Sequence, residues 1–539
     1  MANQSWQNVR TNESAASRTV PSWRYLVALA AIAVASRLPQ LLTPNLLADG
    51  DECILGLMGK HLSEGRHFPL FFYGQDYGLS IVEAPAAAAS FLMVGVGAIP
   101  LKLAMLAVWI AGVCFYFLAF SRSLGAARCF WIILVLVLMP AWAVSSMKAW
   151  SGYITAFSAT GAILYMFTRD HLRRSGWATA GGLTAIVYLS QPSWLPGLLP
   201  IVAVFLLSSR RALVALSYIG GMTIVLFAIG LLKLLAIGSA APSWPRPAAG
   251  NPDLFGSVLP LLKQLDLNLT GSYYLAVPIT AGPFTTIASV AWLAILAVCV
   301  GLQIYRVATK KYHFWAHLLF ISVISTFVAN WLLLDSRHPR YLLSLNAPLV
   351  LLAGIELFDF CAERARRSAT KEADRHGIWM RRGVGAIVIL LAVESVSMIE
   401  FSHYSYMWWQ NGPGRPSEAL TLLRVVDYMK SRGATRAYSM NALLQWQVTF
   451  YSRESVIARW KVTDDRYPRY ISEVDRALDR GEPVAIVGYV GYTGGLENLL
   501  PDRELVEFDG KYFVFVGANK ELLRRLGFTY TESSRTVVP

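Results

Sequence analysis

The chain has 539 residues, 55% of them hydrophobic and only 15% charged, with a mean hydropathy of +0.44. A soluble domain carries nearer a quarter charged residues, which excludes an ordinary soluble enzyme. The net charge of +14 does not indicate nucleic acid: the basic residues fall in short loops between apolar runs, with no basic face interleaved with aromatics.

The N-terminus is polar up to Trp23 and lacks a small-residue cleavage site after an apolar stretch, so Tyr25–Leu42 reads as a retained membrane span. Repeated apolar runs of about 18–20 residues follow, each long enough to cross a ~30 Å hydrocarbon core. Placing the basic loops in the cytoplasm fixes the parity of the crossings. These loops carry Arg122/Arg128, Arg169/Arg173/Arg174, Arg210/Arg211, Arg306/Lys310/Lys311 and the run Arg364 to Arg382. The expected spans are Tyr25–Leu42, Leu101–Phe120, Phe130–Met147, Gly152–Phe167, Trp177–Leu189, Leu195–Leu207, Leu213–Ile237, Thr285–Ile304, Phe314–Leu334, Leu342–Phe360 and Val384–Phe401, about eleven helices. Ala84–Ala98 would invert the later loops if it crossed, so it is placed as a helix on or dipping into the outer leaflet. The two prolines of SQPSWLPG suggest broken or tilted helices around a cavity.

The fold expected is an all-α polytopic membrane protein with a small α/β domain at its C-terminal end. It comprises a cytoplasmic tail (1–23), a transmembrane domain (24–402) with its first outer loop at 43–99, and an extracytoplasmic domain (403–539). In that last part TLLRVVDYMKSRGA reads as an amphipathic helix stopped by Gly433, RAYSM, PVAIVGYV and KYFVFVG as strands, and EVDRALDRG as a helix. GYVGYTGG departs from the dinucleotide spacing G-x-G-x-x-G and reads as a turn after a strand. The five cysteines suggest no disulfide framework.

The carboxylates Asp49, Asp51 and Glu52 open the segment DECILGLMGKHLSEG, which has helical apolar periodicity and a natural stop at Gly65. One reading makes Asp51 and Glu52 caps that meet the helix dipole, worth about 0.5–2 kcal/mol. The other makes Asp51 a general base. By parity Arg337, His338 and Arg340 in DSRHPRY lie on the same outer side, against the usual charge bias, where arginines suit the phosphate oxygens of a lipid headgroup. Lys148 is a further cation there.

Asp51-Glu52 at a helix start, then GQDYGLSIVEAP, and later RHPRYLLSLNAPLVLLAG, resemble the GT-C superfamily of membrane glycosyltransferases. The nearest relatives in pattern are the protein O-mannosyltransferases and the transferase that adds aminoarabinose to lipid A. Bacterial proteins whose first loop reads YGQ-x-Y-G-x-S-x-x-E are closer still. The resemblance covers Tyr25–Phe360 and implies inverting transfer of a sugar from a polyprenyl-phosphate donor to an acceptor at the outer face of a bacterial inner membrane. The N-terminus would then be cytoplasmic and the C-terminal domain periplasmic. Residue by residue, Asp51 matches the catalytic carboxylate, Glu52 its acidic neighbour, and Arg340 and Tyr341 an Arg-Tyr pair before a late helix. The glutamate-lysine-proline motif of the aminoarabinose enzyme reads Glu83-Ala84-Pro85 here, so the lysine is absent and Arg337, Arg340 and Lys148 stand as candidates for the charge at the phosphate. Glu83, Gln75, Tyr77 and His338 stand as substrate-positioning candidates.

No cofactor and no nucleic acid are expected. Asp49 and Asp51 form the D-x-D string of metal-using members, which keeps a divalent ion as the lesser reading. The acceptor, whether glycan, lipid or protein, has no readable motif. The alternative function is a flippase or transporter that uses the same charges for gating. Transporters, however, tend to carry internal repeats and midplane charges, whereas these charges gather at one face.

Overall fold

The computed structural model describes residues 22–42, 46–75, 77–169, 172–209, 211–237, 258–271, 283–309, 313–333, 339–367, 386, 417–462, 466–493, 495–500 and 505–529. Arg337, His338 and, apart from Ala386, the expected span Val384–Phe401 lie outside them. Among the described residues, six helices are long and apolar enough to cross a membrane: Ala98–Leu124, Pro192–Ser209, Ala212–Leu235, Ser289–Ala308, Phe314–Leu332 and Pro339–Phe360. The chain is a multi-pass membrane protein.

Among the described residues several of the about eleven expected spans fold as shorter apolar pieces. Tyr25–Leu42 becomes the helix Ser22–Ala35 and a separate turn Leu38–Leu41. Pro39 has no N–H for the Ala35 carbonyl, where the helix ends, and the buried Arg37 guanidinium in the link donates to Ser36 Oγ (2.7 Å), the Trp142 carbonyl (2.9 Å) and Ser146 Oγ (3.2 Å). Phe130–Met147 is divided into Ala126–Leu138 and Pro140–Ser145. Pro140 has no N–H to continue the ladder, and Met139 before it is extended (φ −60°, ψ 128°). The helix Glu83–Val94 occupies the place expected of a short apolar helix before the Ala98 span.

Of the pair expected to be broken or tilted around a cavity, Arg174–Ser190 runs unbroken. It packs backbone to backbone on Ala212–Ile237, where a Cβ at Gly181 would fall 1.9 Å from the Tyr218 carbonyl oxygen and one at Gly221 equally close to that of Ala178. Small residues permit this approach in an apolar medium. Pro192 opens the 3-10 turn Pro192–Trp194, and Pro196 lies in the first turn of the helix Leu195–Ser209.

The C-terminal part is a five-stranded sheet of order β2-β1-β3-β5-β4. Its strands are β1 Arg436–Ser439, β2 Ile457–Arg459, β3 Val484–Tyr489, β4 Val506–Phe508 and β5 Tyr512–Val516. β1 runs parallel to β2 and β3, whereas β5 is antiparallel to β3 and β4. The helices Glu418–Ser431, Leu444–Tyr451 and Pro468–Asp479 accompany the sheet. Ser417 caps the first of these and Gly433 (φ 74°) follows its end. Within GYVGYTGG, Gly488 and Tyr489 end β3, and Gly491 and Gly495 beyond it are left-handed at φ 85°.

This sheet domain docks on the first loop through the helix Gly50–Ser63. A Cβ at Gly50 would meet Leu443 and one at Gly56 would meet Phe450, so the glycine face of that helix admits Leu444–Tyr451 at close range. The Tyr451 hydroxyl accepts from the Ala48 amide (2.9 Å), and Gln447 Nε2 donates to the Ala48 carbonyl (3.2 Å). First loop and tail therefore share one side of the molecule.

Candidate active site

The site is built on the first turn of Gly50–Ser63. Asp49, not Asp51, is its N-cap. The Asp49 carboxylate accepts from the Glu52 amide (2.9 Å) and Glu52 Oε2 accepts from the Asp49 amide (3.0 Å), a reciprocal capping box. Lys148 Nζ donates to Asp49 Oδ2 (2.8 Å) and to Glu52 Oε2 (3.1 Å), and Trp150 Nε1 donates to Asp49 Oδ2 (3.3 Å). Burial pushes the Asp49 carboxyl up, but Lys148 outweighs it and holds the group at about 2. Lys148, expected at a phosphate, is thus engaged by two carboxylates.

Glu52 is fully buried. Its Oε1 accepts from Lys102 Nζ (2.6 Å) and the Ala149 amide (3.3 Å), in addition to the bonds at Oε2. With four donors on two oxygens it has no face left for a substrate proton, so its expected catalytic role gives way to an anchoring one. It joins the first loop to the Ala98–Leu124 helix and to the loop before Tyr153. Lys102 was missed from the sequence, although a lysine inside an apolar span signals a buried partner.

Asp51 projects the other way and keeps 30% of its side chain exposed. Arg466 Nη1 donates to its Oδ1 at 3.4 Å, and Arg340 Nη1 lies 3.9 Å from its Oδ2. Burial and the charge of Asp49 raise the Asp51 carboxyl above its ordinary range, while Arg466, Arg340 and Lys148 oppose the rise. Of the D-x-D string, Asp49 is thus paired with Lys148 and Asp51 faces two arginines. Among the described residues no group of three or more His, Cys, Asp or Glu side chains is placed to hold an ion.

Arg340 sits on the 3-10 turn Pro339–Leu342, its guanidinium 5.5 Å from the Tyr341 ring centre. Tyr77 is an exposed neighbour of this group. Burial raises its phenol, Tyr341 adds to the rise, and Arg340 and Arg466 oppose it. Gln75 is half-buried in the preceding turn, its amide donating to the Phe72 carbonyl (3.0 Å). Glu83 is not brought to Asp51. It is fully buried and caps the helix Tyr153–Phe167, accepting from the Gly152 amide (2.8 Å), the Thr155 amide (3.1 Å) and Thr155 Oγ1 (3.1 Å). Burial pushes this carboxyl up to about 7 against the pull of those donors.

A second polar node lies farther along Gly50–Ser63. Glu454 of the tail accepts from His61 Nε2 (3.0 Å), Arg66 Nη1 (2.9 Å) and the Tyr470 hydroxyl (2.8 Å), and pairs with Lys60. Burial works against its charge, but these donors hold the carboxyl well below the usual range. Glu454 (φ 66°) and Arg453 (φ 53°) are both left-handed, a conformation costing roughly 1–2 kcal/mol per non-glycine residue. The strain places the Glu454 carboxylate in this node.

No family model matches the chain, and no curated protein sequence matches it. Solved structures do. The crystal structure of ArnT from Cupriavidus metallidurans bound to undecaprenyl phosphate superposes with a TM-score of 0.61 at 14% identity, covering 91% of this chain and 98% of that one. ArnT from the same organism in the apo state gives 0.59 at 14% identity, over 92% and 98%. The mycobacterial arabinofuranosyltransferase AftD gives only 0.43 at 13% identity, over 94% of this chain and 40% of that one. The chain thus has the fold of ArnT over almost the whole length of both proteins.

Proposed function

We propose that the protein is an inverting glycosyltransferase that moves a sugar from a polyprenyl-phosphate donor to an acceptor hydroxyl, with Asp51 as general base. The observation that carries this reading is the setting of Asp51: half-buried, oriented by its helix, and facing arginine rather than solvent alone. The fold supports it, since ArnT of this fold was crystallised with undecaprenyl phosphate.

In the reaction, the acceptor hydroxyl gives its proton to the Asp51 carboxylate as its oxygen bonds to the anomeric carbon. The bond from that carbon to the phosphate oxygen breaks on the opposite face, and its electron pair leaves with polyprenyl phosphate. Arg340, with Tyr341 beside it and Arg337 preceding it in sequence, stabilises the departing phosphate. A preorganised cation is most effective where charge develops. The site faces the periplasm of a bacterial inner membrane, with the N-terminus cytoplasmic and the tail on the side of the first loop.

The test uses the full chain in lipid nanodiscs with a panel of polyprenyl-phosphate sugars and cell-envelope acceptors. The expected result is stoichiometric release of polyprenyl phosphate and a product of inverted anomeric configuration. Movement of intact donor across a proteoliposome membrane without bond cleavage would overturn the reading in favour of a flippase.

A further inference from the structure

We propose, resting on the transferase reading above, that Trp150 is the platform on which the pyranose ring of the lipid-linked donor stacks, and so a residue that selects the sugar.

Trp150 lies in the loop between Pro140–Ser145 and Tyr153–Phe167, and its neighbours there are tied down. Lys148 Nζ is held by Asp49 and Glu52, and the Ala149 amide donates to Glu52 Oε1 at 3.3 Å. Ser151 Oγ donates to the Gly78 carbonyl (2.7 Å), and the Ser151 carbonyl accepts from Gln191 Nε2 (3.3 Å). The Gly152 amide donates to Glu83 (2.8 Å). Gly152 is left-handed at φ 88°, and a Cβ there would fall 2.4 Å from the Ser190 carbonyl oxygen. The backbone therefore fixes where the indole stands.

The ring itself is fixed as well. Its Nε1 donates to Asp49 Oδ2 (3.3 Å), and its centre lies 6.2 Å from that of Tyr153 at 67°. Tyr153 is buried and is backed in turn by the buried Trp194, 5.7 Å away at 79°. An indole that anchors a protein at the bilayer surface turns its N–H outward to headgroups and water. This one turns its N–H inward to a carboxylate, yet the residue stays half-buried. A rigid aromatic surface left partly open at a polar site suits the C–H face of a sugar, whose weakly positive hydrogens meet the negative face of the ring.

The contacts of Trp150 reach toward both reacting partners. Asp49 and Lys148, whose ammonium lies 5.5 Å from the indole centre, both act on the charge of Asp51. Tyr153 acts on that of Arg340. In an in-line displacement the sugar lies between the base and the departing phosphate, which here places it beside this aromatic wall. A pyranose with an unbroken C–H face stacks there, whereas an axial hydroxyl on that face is held off.

The experiment uses native mass spectrometry on the full chain in nanodiscs. It compares polyprenyl phosphates carrying glucose, galactose, mannose or 4-amino-4-deoxyarabinose with polyprenyl methyl phosphate, a phosphodiester without a ring. Wild type is expected to bind at least one sugar lipid about tenfold more tightly than the methyl ester. Trp150→Phe, which keeps a ring and loses the N–H, should retain most of that preference. Trp150→Leu should lose it, with the methyl ester bound as by wild type in both variants. Equal loss in the two variants would make the N–H to Asp49 the working feature and overturn the proposal. Full preference in Trp150→Leu, or loss of methyl ester binding there, would overturn it too, as would a wild type that binds the methyl ester as tightly as every sugar lipid. Those outcomes spare the transferase reading, which falls instead if wild type binds none of the phosphate lipids better than the uncharged polyprenol.

Discussion

Asp51 and Glu52 are adjacent in sequence and opposite in environment, and the difference makes a sharp prediction. Glu52 is buried between Lys102 and Lys148, so Glu52→Gln strands a buried ammonium and should destabilise the protein by about 3–5 kcal/mol. Asp51→Asn removes a partly exposed charge held by longer contacts and should leave thermal stability nearly unchanged while lowering turnover about 10²–10⁴-fold. Thermal denaturation in detergent beside a turnover assay checks both; equal loss of stability in the two variants would contradict the division of roles. The raised Asp51 carboxyl adds that turnover must fall as pH drops through that raised value, because the base works only when ionised.

Glu83 makes a separate prediction at the same scale. Its carboxyl is raised in the fold to about 7, from 4.5, so between these values the folded state binds more protons than the unfolded one. Stability from this group is complete below about pH 4.5 and is lost as pH rises toward 7. The denaturation midpoint of wild type minus that of Glu83→Gln should fall across this window; a flat difference would show that Glu83 is ionised throughout.

Among the elements, the helix Gly50–Ser63 does two tasks: its first turn presents Asp51, and its later turns receive the tail. Glu454→Gln removes the tail's carboxylate from Lys60 and Arg66, which keep only Glu64 on their own segment, and the lost pair with Lys60 is buried. The expected outcome is weaker docking of Leu444–Tyr451, seen as faster amide exchange there with exchange in Ala98–Leu124 unchanged. Unaltered exchange in Leu444–Tyr451 would show that the glycine face and Ala48 contacts suffice. Individual elements of the tail were legible because helix and strand periodicity is local, as in TLLRVVDYMKSRGA and PVAIVGYV. Their docking was not, since a contact such as Arg466 to Asp51 spans 415 positions and leaves no local pattern. The breaks at Arg37 and Met139 were obscured for another reason: hydropathy averages over a window and passes smoothly across one arginine or one proline.

For the whole molecule, composition was enough to mark a membrane protein, and the motifs around Asp51 and Arg340 were enough to bring two of the site's groups together. The capping contacts of Glu83, a substrate-positioning candidate in the sequence, were not legible there because its partners lie on the distant Gly152–Thr155 turn. The fold joins these parts so that a cluster of Asp49, Glu52, Lys102 and Lys148 lies beside Asp51, which faces Arg340 and Arg466. The most direct test of this account compares release of polyprenyl phosphate from lipid-linked sugar by wild type and by Asp51→Asn, each confirmed folded, with acceptor present. The account predicts release by wild type and its near-complete loss in the variant. Equal release by both would remove Asp51 from the chemistry and contradict the mechanism.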